Sequence, residues 1–303
     1  KDKIATRHVL QSADIPQPEF GTGERLADLA DVASRIGFPV VVKATTLSAS
    51  RGVSVHLNYD KFYDACKTVR ELSPDRQVLI ERCLRRSDKL PEYSTEILFD
   101  NSGYCHYLNT VERRFRVINN VPIEVGHINP APLPQAETDK LFGLAKAAAA
   151  AIGVQWGAFK VDTIPNKHGY AVLEVTARLS GGYDASHTTP LATGRNLIMA
   201  ALRVSLGMDV GDSLIPAYHR YAAVYCPLPA VMGVRSIDGV ETAKAVPGVE
   251  KVIVNIKPDL ATRGVADCSL RPCYIIASGD TAEDAWGSAQ IAASHISFSS
   301  TQV

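Results

Sequence analysis

The sequence predicts an α+β protein built from several compact lobes, and three observations lead to this fold class. The chain has 303 residues, enough for about two domains or for one domain of several lobes. Its composition, 46% hydrophobic and 21% charged, is that of an ordinary folded chain. Strand-like runs alternate with amphipathic helix patterns along its length. We therefore expect a folded chain with a substantial core, not a disordered one.

The first lobe is predicted at residues 1–84 as a small α/β unit. Apolar residues recur at helical spacing over residues 26–36, and Gly37 and Pro39 then end that helix. The apolar run 39–43 predicts a buried strand directly after it. A second strand, a second helix and a third strand are expected at residues 53–57, 62–72 and 77–81.

The second lobe is predicted at residues 85–212 as a mostly antiparallel α+β unit. It opens with a polar insertion, 85–91, followed by a hairpin of strands 93–99 and 104–111 around the turn 100–103. An Ala-rich helix over 139–152 is ended by Gly153. Strands 157–164 and 170–175 and a helix over 196–206 complete this lobe.

A third, smaller domain is predicted at residues 213–303. Short strands begin near His219, turn signals recur at Pro247-Gly248 and Gly279-Asp280, and Thr281 opens a final helix with a capping box.

Charge and hydropathy exclude two classes of partner. The 32 basic residues balance the 32 acidic ones, so no nucleic-acid-binding surface is indicated. No apolar stretch approaches the roughly 20 residues that cross a bilayer, so no membrane partner is expected. The six cysteines form no CxxC pair, which predicts reduced thiols and a cytoplasmic protein.

Two acidic residues stand near the ends of adjacent predicted strands, Asp162 and Glu174. If those strands pair as a hairpin, both carboxylates can project from one face and share a hard divalent cation. The alternative is that both are solvated acids at strand ends. Arg178 and the segment Ser180-Gly181-Gly182 follow, and an arginine beside a carboxylate pair can neutralise transferred phosphoryl oxygens.

A second candidate binding segment follows Lys43, which ends a predicted strand and leads into a hydroxyl-rich loop over 45–52. Such a loop can donate backbone N–H groups to phosphates, although it is not a Walker loop. The alternative is a plain surface turn. Candidate substrate residues allow two interpretations each. Arg113, Arg114 and Arg116 form either a cationic patch or a solvated strand face, and His187, Tyr183 and Asp184 are either substrate contacts or structural.

Seven short stretches stand in an order that resembles the ATP-grasp superfamily over essentially the whole chain. They are Asp2-Lys3, residues 38–43, Ser50-Arg51-Gly52, residues 78–84, residues 91–96, residues 125–132, and the strand pair with Asp162, Glu174, Thr176 and Arg178. The resemblance implies two α/β lobes that clasp ATP, with Mg²⁺ as the metal and Mn²⁺ as its alternative.

The resemblance also implies roles for single residues. Lys3 and Lys43 would contact the phosphates beneath the loop of Ser50, Arg51 and Gly52. Glu81, Arg82 and Leu84 would lie at the adenine, Glu92 at the ribose, and His127 in the binding segment before the long helix. Asp162, Glu174 and Thr176 would hold the metal, and Arg178 and Lys43 would act in catalysis. Apart from the resemblance, the candidate substrate residues are Arg113, Arg116, Gly181 and His187.

Four departures from the family pattern are visible. Ser48 and Ala49 replace loop glycines, which predicts a stiffer loop because Ser and Ala resist positive φ angles. The first metal acid is Asp162 instead of Glu, and Thr176 stands where Asn is common. The family's usual N-terminal α/β domain does not precede Lys1, so we expect a longer natural chain, a separate piece, or a deletion.

The last third, at residues 233–239, 246–249 and 273–285, resembles the closing domain of L-amino-acid ligases and related carboxylate–amine ligases. The implied reaction activates a carboxylate as an acyl phosphate and transfers it to an amine, with small-molecule substrates and a homodimer as an option. Two alternatives stay open: an enzyme of the same fold that uses bicarbonate or another small nucleophile, and an inactive nucleotide-binding subunit.

Overall fold

The computed structural model describes residues 2–84, 90–230, 233–256 and 267–300 as two facing sheets with helices on their outer sides. The first sheet has four antiparallel strands in the order β1-β4-β2-β3. These strands are β1 (Phe20–Gly23), β2 (Val40–Ala44), β3 (Val53–His56) and β4 (Val78–Arg82). Helices α2 (Leu26–Ile36) and α3 (Phe62–Leu72) cover it. The helices and strands predicted between residues 26 and 82 are confirmed, and the lobe boundary at residue 84 stays a prediction.

Strand β2 shows how this sheet divides core from cleft. Successive side chains of a strand point to opposite faces. Val40, Val42 and Ala44 are buried against α2 and α3, while Val41 and Lys43 point to the other face. The face of this sheet that the helices leave uncovered therefore presents Val41 and Lys43 to the second sheet.

The second sheet has eight strands in the order β12-β13-β10-β7-β6-β5-β8-β9, each antiparallel to its neighbour. Its first five strands along the chain are β5 (Glu92–Phe99), β6 (Cys105–Ile118), β7 (Val121–Asn129), β8 (Gly157–Asn166) and β9 (Gly169–Thr176). Helices α1 (Lys3–Ser12) and α4 (Gln135–Ile152) pack on it around Leu10, Ile97 and Phe159. Two further helices follow, α5 (Thr189–Thr193) and α6 (Leu197–Ser205).

The last third of the chain extends the second sheet. Strand β10 (Tyr221–Tyr225) pairs with β7, and β13 (Cys273–Gly279) and β12 (Val249–Val254) continue beyond it. Helices α7 (Val240–Lys244) and α8 (Ala282–Ser294) lie beside a two-stranded sheet of β11 (Val234–Asp238) and β14 (Ser297–Ser300). Because β10 pairs directly with β7, the domain division at residue 213 stays a prediction.

Several element bounds differ from the sequence prediction. Strand β6 runs seven residues past the predicted end at Val111, and β7 was not predicted. Asn119 and Asn120 adopt positive φ angles of 49° and 66° in the turn between them, an arrangement typical of a tight hairpin. Helix α4 begins at Gln135, four residues before the predicted start. The missed signal was therefore the Asn119-Asn120 turn, which follows the arginine-rich segment 113–116. The predicted insertion at 85–91 lies mostly outside the described residues.

Within the described ranges, no helix is both long enough and apolar enough to cross a membrane.

Gly126 on β7 lies against the backbone of β10. Its φ angle is 154°, and a Cβ there would lie 1.9 Å from the carbonyl oxygen of Val224 on β10. We expect Gly126→Ala to lower the free energy of unfolding by roughly 2–4 kcal/mol, because the backbone of β7 or β10 must move. Urea unfolding measures this. Gly143→Ala, on α4 with open space at its Cβ, is the control and should be neutral or slightly stabilising. Equal stability of the two variants would contradict the close approach.

Candidate active site

A cleft of about 890 Å³ lies between the two sheets. Its walls are apolar, with Val41, Val53 and Val55 from the first sheet and Ile164 and Leu173 from the second. One end of the cleft is lined by Arg82, the last residue of β4, and by Cys83 and Leu84, which follow it. A narrow apolar slot between two sheets suits a flat ring system.

The opposite end of the cleft is charged. Asp2 caps α1 by accepting a 2.9 Å hydrogen bond from the N–H of Ala5, so the helix begins at Lys3. The Lys3 ammonium donates to the carbonyl oxygen of Leu47 and lies in the same cavity as Lys43 and Glu174. Burial lowers the pKa of Lys3, with the charge of Lys43 acting in the same direction. Two lysines therefore converge on one end of the slot, as expected.

Glu81 is buried beneath this end, where two cations hold it. Lys43 Nζ donates to Glu81 Oε2 at 2.6 Å, and Arg7 Nε donates to Oε1 at 2.7 Å. Burial alone would raise the pKa of Glu81, but the charges of Lys43 and Arg7 outweigh it and hold the pKa at about 2. The guanidinium of Arg7 also donates to the carbonyl oxygens of Val172 and Leu173 on β9. Arg7 therefore ties β4 of one sheet to β9 of the other.

Asp162 and Glu174 lie directly opposite each other on β8 and β9. Paired residues of an antiparallel ladder project from the same face, and both side chains line the cleft. Asp162 is buried, whereas Glu174 is exposed to the cleft. Thr176 lies two residues further along the same face of β9. The hairpin predicted from the sequence is confirmed, and with it the shared orientation of the two carboxylates.

Asp162 already has two cationic partners. Lys160 Nζ lies 2.5 Å from Oδ1, and Arg113 Nη1 lies 2.9 Å from Oδ2. Burial would raise the pKa of Asp162, but these two charges outweigh it and lower the pKa. Arg113 is shared further, with Glu124 at 2.9 Å and Glu92 at 3.7 Å. The carboxylate next to the cleft is therefore neutralised by protein charges.

The donor set of Asp162, Glu174 and Thr176 fits Mg²⁺ in kind, because all three offer oxygen ligands. Among the described residues no group of three or more His, Cys, Asp or Glu side chains is placed to hold a metal ion. The set thus matches a cation held by one or two carboxylates together with substrate oxygens, and not an all-protein cage. Glu174 is the freer ligand, since Lys160 and Arg113 occupy both oxygens of Asp162.

A second, polar pocket of about 950 Å³ opens from the cleft at Asp162 and Glu174. Arg178 and Gly181 line one side of it, and Arg178 Nη1 donates to the carbonyl oxygen of Leu179 at 2.9 Å. Cationic residues from four separate segments of the chain border this pocket: Arg113, Lys160, Arg178 and Arg271. The arrangement suits an anionic group placed beside the charged end of the slot.

His127 lines the polar pocket instead of the cleft. Its Nε2 lies 3.0 Å from Oγ1 of Thr188, and burial lowers its pKa. His127, which was predicted to bind the nucleotide, therefore lines the polar pocket and not the apolar slot.

The loop over residues 48–52 covers the junction of cleft and pocket through Ser48, Ala49 and Ser50. Ala49 and Ser50 both have φ angles of 60°. This is the left-handed conformation that Ala and Ser side chains disfavour. Contacts from outside the loop hold them there: Ser50 Oγ donates to the carbonyl oxygen of Pro122 at 2.9 Å, and the N–H of Cys268 donates to that of Ala49 at 3.1 Å. The loop is thus strained and anchored.

Four predicted site residues line neither cavity. Arg51 and Gly52 lie on the outer side of the loop, where a Cβ at Gly52 would come 2.8 Å from that of Ala44. Gly52 therefore serves close packing. Arg116 is exposed on β6, because strand alternation places it on the opposite face from Arg113, which lines both cavities. The three arginines therefore do not share one face, and for Arg116 the geometry favours the alternative of a solvated strand face.

His187 also lies away from both cavities. Its Nδ1 lies 2.8 Å from Ser186 Oγ, and its ring packs edge-on against Tyr183. The turn instead directs Asp184 and Thr188 inward.

Sequence reasoning missed four charged residues of the site: Arg7, Glu124, Lys160 and Arg271. Lys160 stands two residues before Asp162 and so shares its strand face, a signal that the sequence does contain. The contact of Arg271 with the carbonyl oxygen of Glu124 joins residues 147 positions apart, and no local pattern predicts it.

Two family models match the chain. The model described as the ATP-binding domain of the carbamoyl-phosphate synthase L chain matches residues 2–212. The model described as the L-amino acid ligase C-terminal domain 2 matches residues 227–300.

A relative with similar sequence is the y4rH protein of Sinorhizobium fredii, 26% identical over 290 residues, which are 91% of this chain and 56% of that protein. The chain thus spans little more than half of this relative.

Two solved structures share the fold. The L-amino acid ligase of Bacillus licheniformis superposes with a TM-score of 0.79 at 21% identity, over 99% of this chain and 72% of that one. The biotin carboxylase domain of 2-oxoglutarate carboxylase from Hydrogenobacter thermophilus, solved with MgADP and bicarbonate, superposes with a TM-score of 0.70 at 16% identity. That superposition covers 98% of this chain and 66% of the other.

The buried pair of Arg7 and Glu81 gives a test of the charged end of the cleft. We expect Arg7→Met to lower the free energy of unfolding by about 3 kcal/mol at pH 7, because a buried carboxylate loses a partner. Since the pKa of Glu81 is lowered to about 2, its stabilising contribution is present above about pH 4.5 and is lost as the pH falls toward 2. The difference between variant and wild type should therefore shrink in urea unfolding at pH 3.

The control is Arg25→Met, which removes a fully exposed ion pair with Asp28 and should change stability little at either pH. An Arg7→Met effect that is the same at pH 7 and pH 3 would contradict the charge argument.

Proposed function

Because this chain belongs to the ATP-grasp family, we propose that it is an ATP-dependent ligase that activates a carboxylate as an acyl phosphate and transfers it to an amine. The observation that carries the proposal is the pairing of Asp162 with Glu174 at the point where the apolar slot meets the polar pocket. The match of residues 227–300 to an L-amino acid ligase domain favours an amine as the acceptor.

ATP fits the cleft in one orientation. The apolar walls at Val41, Val53 and Leu173 suit the adenine ring, with the chain at Arg82–Leu84 beside its edge. The triphosphate would then extend toward Lys3, Lys43 and the loop over 48–52. Glu81 is better explained as the buried anchor of Lys43 than as an adenine contact, because both of its side-chain oxygens are bound to cations.

Glu174, Thr176 and Asp162 would hold Mg²⁺, which when bound neutralises charge on the nucleotide phosphates. Lys160 and Arg113 share this task from the protein side, since both already lie against Asp162. We propose that Glu174 is the principal ligand. The assignment of Asp162 as an equal ligand requires one of its two ion pairs to open.

The proposed reaction has two steps. A carboxylate oxygen of the first substrate attacks the γ-phosphorus of ATP, the bond to the β-phosphate oxygen breaks, and an acyl phosphate and ADP result. An amine then attacks the acyl carbon, loses a proton, and expels inorganic phosphate, which leaves an amide. Arg178 faces the pocket in which this carboxylate would lie, and offsets charge that develops on the transferred phosphoryl oxygens.

Positioning and exclusion of water supply the remaining catalysis. The anchored loop at Ala49 and Ser50 covers the junction at which the acyl phosphate would form. The identities of the two substrates and a homodimeric state are properties of the whole protein. The chain described here spans 56% of the length of its relative y4rH.

Release of ADP by purified protein with Mg²⁺ and ATP tests the proposal. We expect release only when a carboxylate and an amine are both supplied, as from a panel of amino acids in pairs, and none from Glu174→Gln. Release that requires bicarbonate instead would favour the small-nucleophile alternative, which the match of residues 2–212 to a carbamoyl-phosphate synthase domain supports. Nucleotide binding without turnover across the panel would contradict both.

Arg178 and Arg116 form a matched pair for testing the catalytic arginine. We expect Arg178→Ala to lower kcat by roughly 10²–10³-fold with little change in ATP affinity, because its interaction strengthens in the transition state. Arg116→Ala should leave kcat and KM unchanged, since Arg116 is exposed and lines neither cavity. Steady-state kinetics checks both variants. A change confined to KM in Arg178→Ala would contradict the assigned role.

A further inference from the structure

The last third of the chain reaches the loop over residues 48–52 through Cys268, a residue to which the mechanism above assigns no role. The N–H of Cys268 donates to the carbonyl oxygen of Ala49 at 3.1 Å. Its Sγ lies 3.4 Å from Ser50 Oγ, within hydrogen-bonding distance for sulfur. Ala49 and Ser50 are the two loop residues that adopt positive φ angles and carry a Cβ. Cys268 therefore contacts the loop at the two residues whose backbone is strained.

The strained conformation of the loop needs support from outside it. A residue with a Cβ is less stable in the left-handed region, and such a conformation persists only where surrounding contacts favour it. Besides Cys268, the support comes from the carbonyl oxygen of Pro122 on β7, which accepts from Ser50 Oγ at 2.9 Å. The loop joins β2 to β3 of the first sheet, whereas both of these contacts come from the other side of the cleft.

Cys268 is itself fixed against strand β7. It is 8% exposed, and its Sγ accepts from the N–H of Glu124 at 3.4 Å. Its carbonyl oxygen accepts from Arg271 Nε at 2.9 Å, and Arg271 Nη1 donates to the carbonyl oxygen of Glu124 at 3.1 Å. A residue braced in this way holds its neighbours more firmly than a mobile side chain does, because it has already lost its freedom of movement.

The brace leads on to the charges around the paired carboxylates. The side chain of Glu124 binds Arg113 at 2.9 Å, and Arg113 binds Asp162 at 2.9 Å. A continuous set of contacts therefore runs from the loop through Cys268 to Asp162. It fixes the height of the loop above the place where the slot meets the polar pocket, which Cys268 also lines.

We propose that Cys268 is a positioning residue, which holds the loop over residues 48–52 closed above the site through Ala49 and Ser50. The last third of the chain thereby completes a cover that the two lobes only begin. The holding of the loop is a property of the fold, whereas its consequence rests on the ligase reaction proposed above. In that reaction the held loop keeps water from the acyl phosphate, so that more of it reaches the amine.

Hydrogen exchange without nucleotide tests the holding of the loop. The reporters are the amides of Arg51 and Val53, which donate to the carbonyl oxygens of Ser48 and Ser50 when the loop has this shape. We expect both amides to exchange roughly tenfold faster in Cys268→Ala than in wild type, because the loop opens more often. Unchanged exchange would overturn the proposal.

Cys273→Ala is the matched control. Cys273 begins β13, is fully buried in the core of the last third, and lines neither cavity. Its replacement should lower Tm and leave the exchange of the Arg51 and Val53 amides at the wild-type rate. Equally faster exchange in both variants would assign the effect to lost stability and overturn the role of Cys268.

Release of ADP with the carboxylate substrate alone tests the consequence for the reaction. The substrates are the pair from the amino-acid panel that gives the most amide with wild type. We expect Cys268→Ala, and not Cys273→Ala, to release ADP without the amine and to form about half as much amide per ADP, or less, when both are present. A slower reaction with an unchanged amount of amide per ADP would overturn the positioning role. If wild type forms no amide with any pair, the proposed reaction fails, and hydrogen exchange alone decides whether Cys268 holds the loop.

A glycine in the loop tests whether Cys268 acts against backbone strain. Ala49→Gly removes the Cβ that disfavours a φ angle of 60° and removes no polar contact. Added to Cys268→Ala, it should restore part of the lost amide per ADP, and an absence of recovery would overturn strain as the reason for the hold. If Cys268→Ala fails to fold, Ser50→Ala removes the thiol contact from the loop side and should speed exchange in the same way. Wild-type exchange in Ser50→Ala would then overturn the proposal.

Discussion

The ion pairs of Asp162 with Arg113 and Lys160 are the interaction on which the site depends. A carboxylate buried between two sheets is costly unless cations neutralise it, and here both of its oxygens are bound. Arg113 reaches further, to Glu92 and Glu124, so β5, β6, β7 and β8 are joined by one set of charges. The cleft keeps its shape because moving any of these strands would leave a charge unpaired.

At the other end of the cleft, a second buried carboxylate is also neutralised by two cations, and this set of contacts joins the two sheets. Glu81 on β4 is held by Lys43 and Arg7, and Arg7 also binds carbonyl oxygens of β9. The two cation sets leave Glu174 as the carboxylate of the cleft that is exposed and free of a described ion pair. Protein charges thus hold the frame, while Glu174, Arg178 and Lys3 face the space where a nucleotide and its partner would lie.

Much of the fold followed from local patterns. The helical spacing over residues 26–36, the strand at Val40–Ala44 and the hairpin of β8 and β9 were all predicted, because hydrophobic period and turn residues are local properties. The joint orientation of Asp162 and Glu174 followed from the hairpin alone. Strand β7 was missed because charged residues and Asn119-Asn120 mask its alternation. Arg113 and Arg116 lie three positions apart on β6, so strand alternation alone turns them to opposite faces, and the three arginines do not share one face.

The sequence by itself determined the fold class and the paired carboxylates, since each rests on residues close together in the chain, and it indicated the family through the order of short stretches along the chain. The tertiary structure alone decided which charges meet. Arg7 with Glu81, Arg113 with Asp162, and Asn129 with Asp184 all join residues from different elements, and sequence spacing carries no information on such pairs. Burial then sets their chemistry, because the cost of an unpaired charge depends on the surroundings that only the folded chain provides.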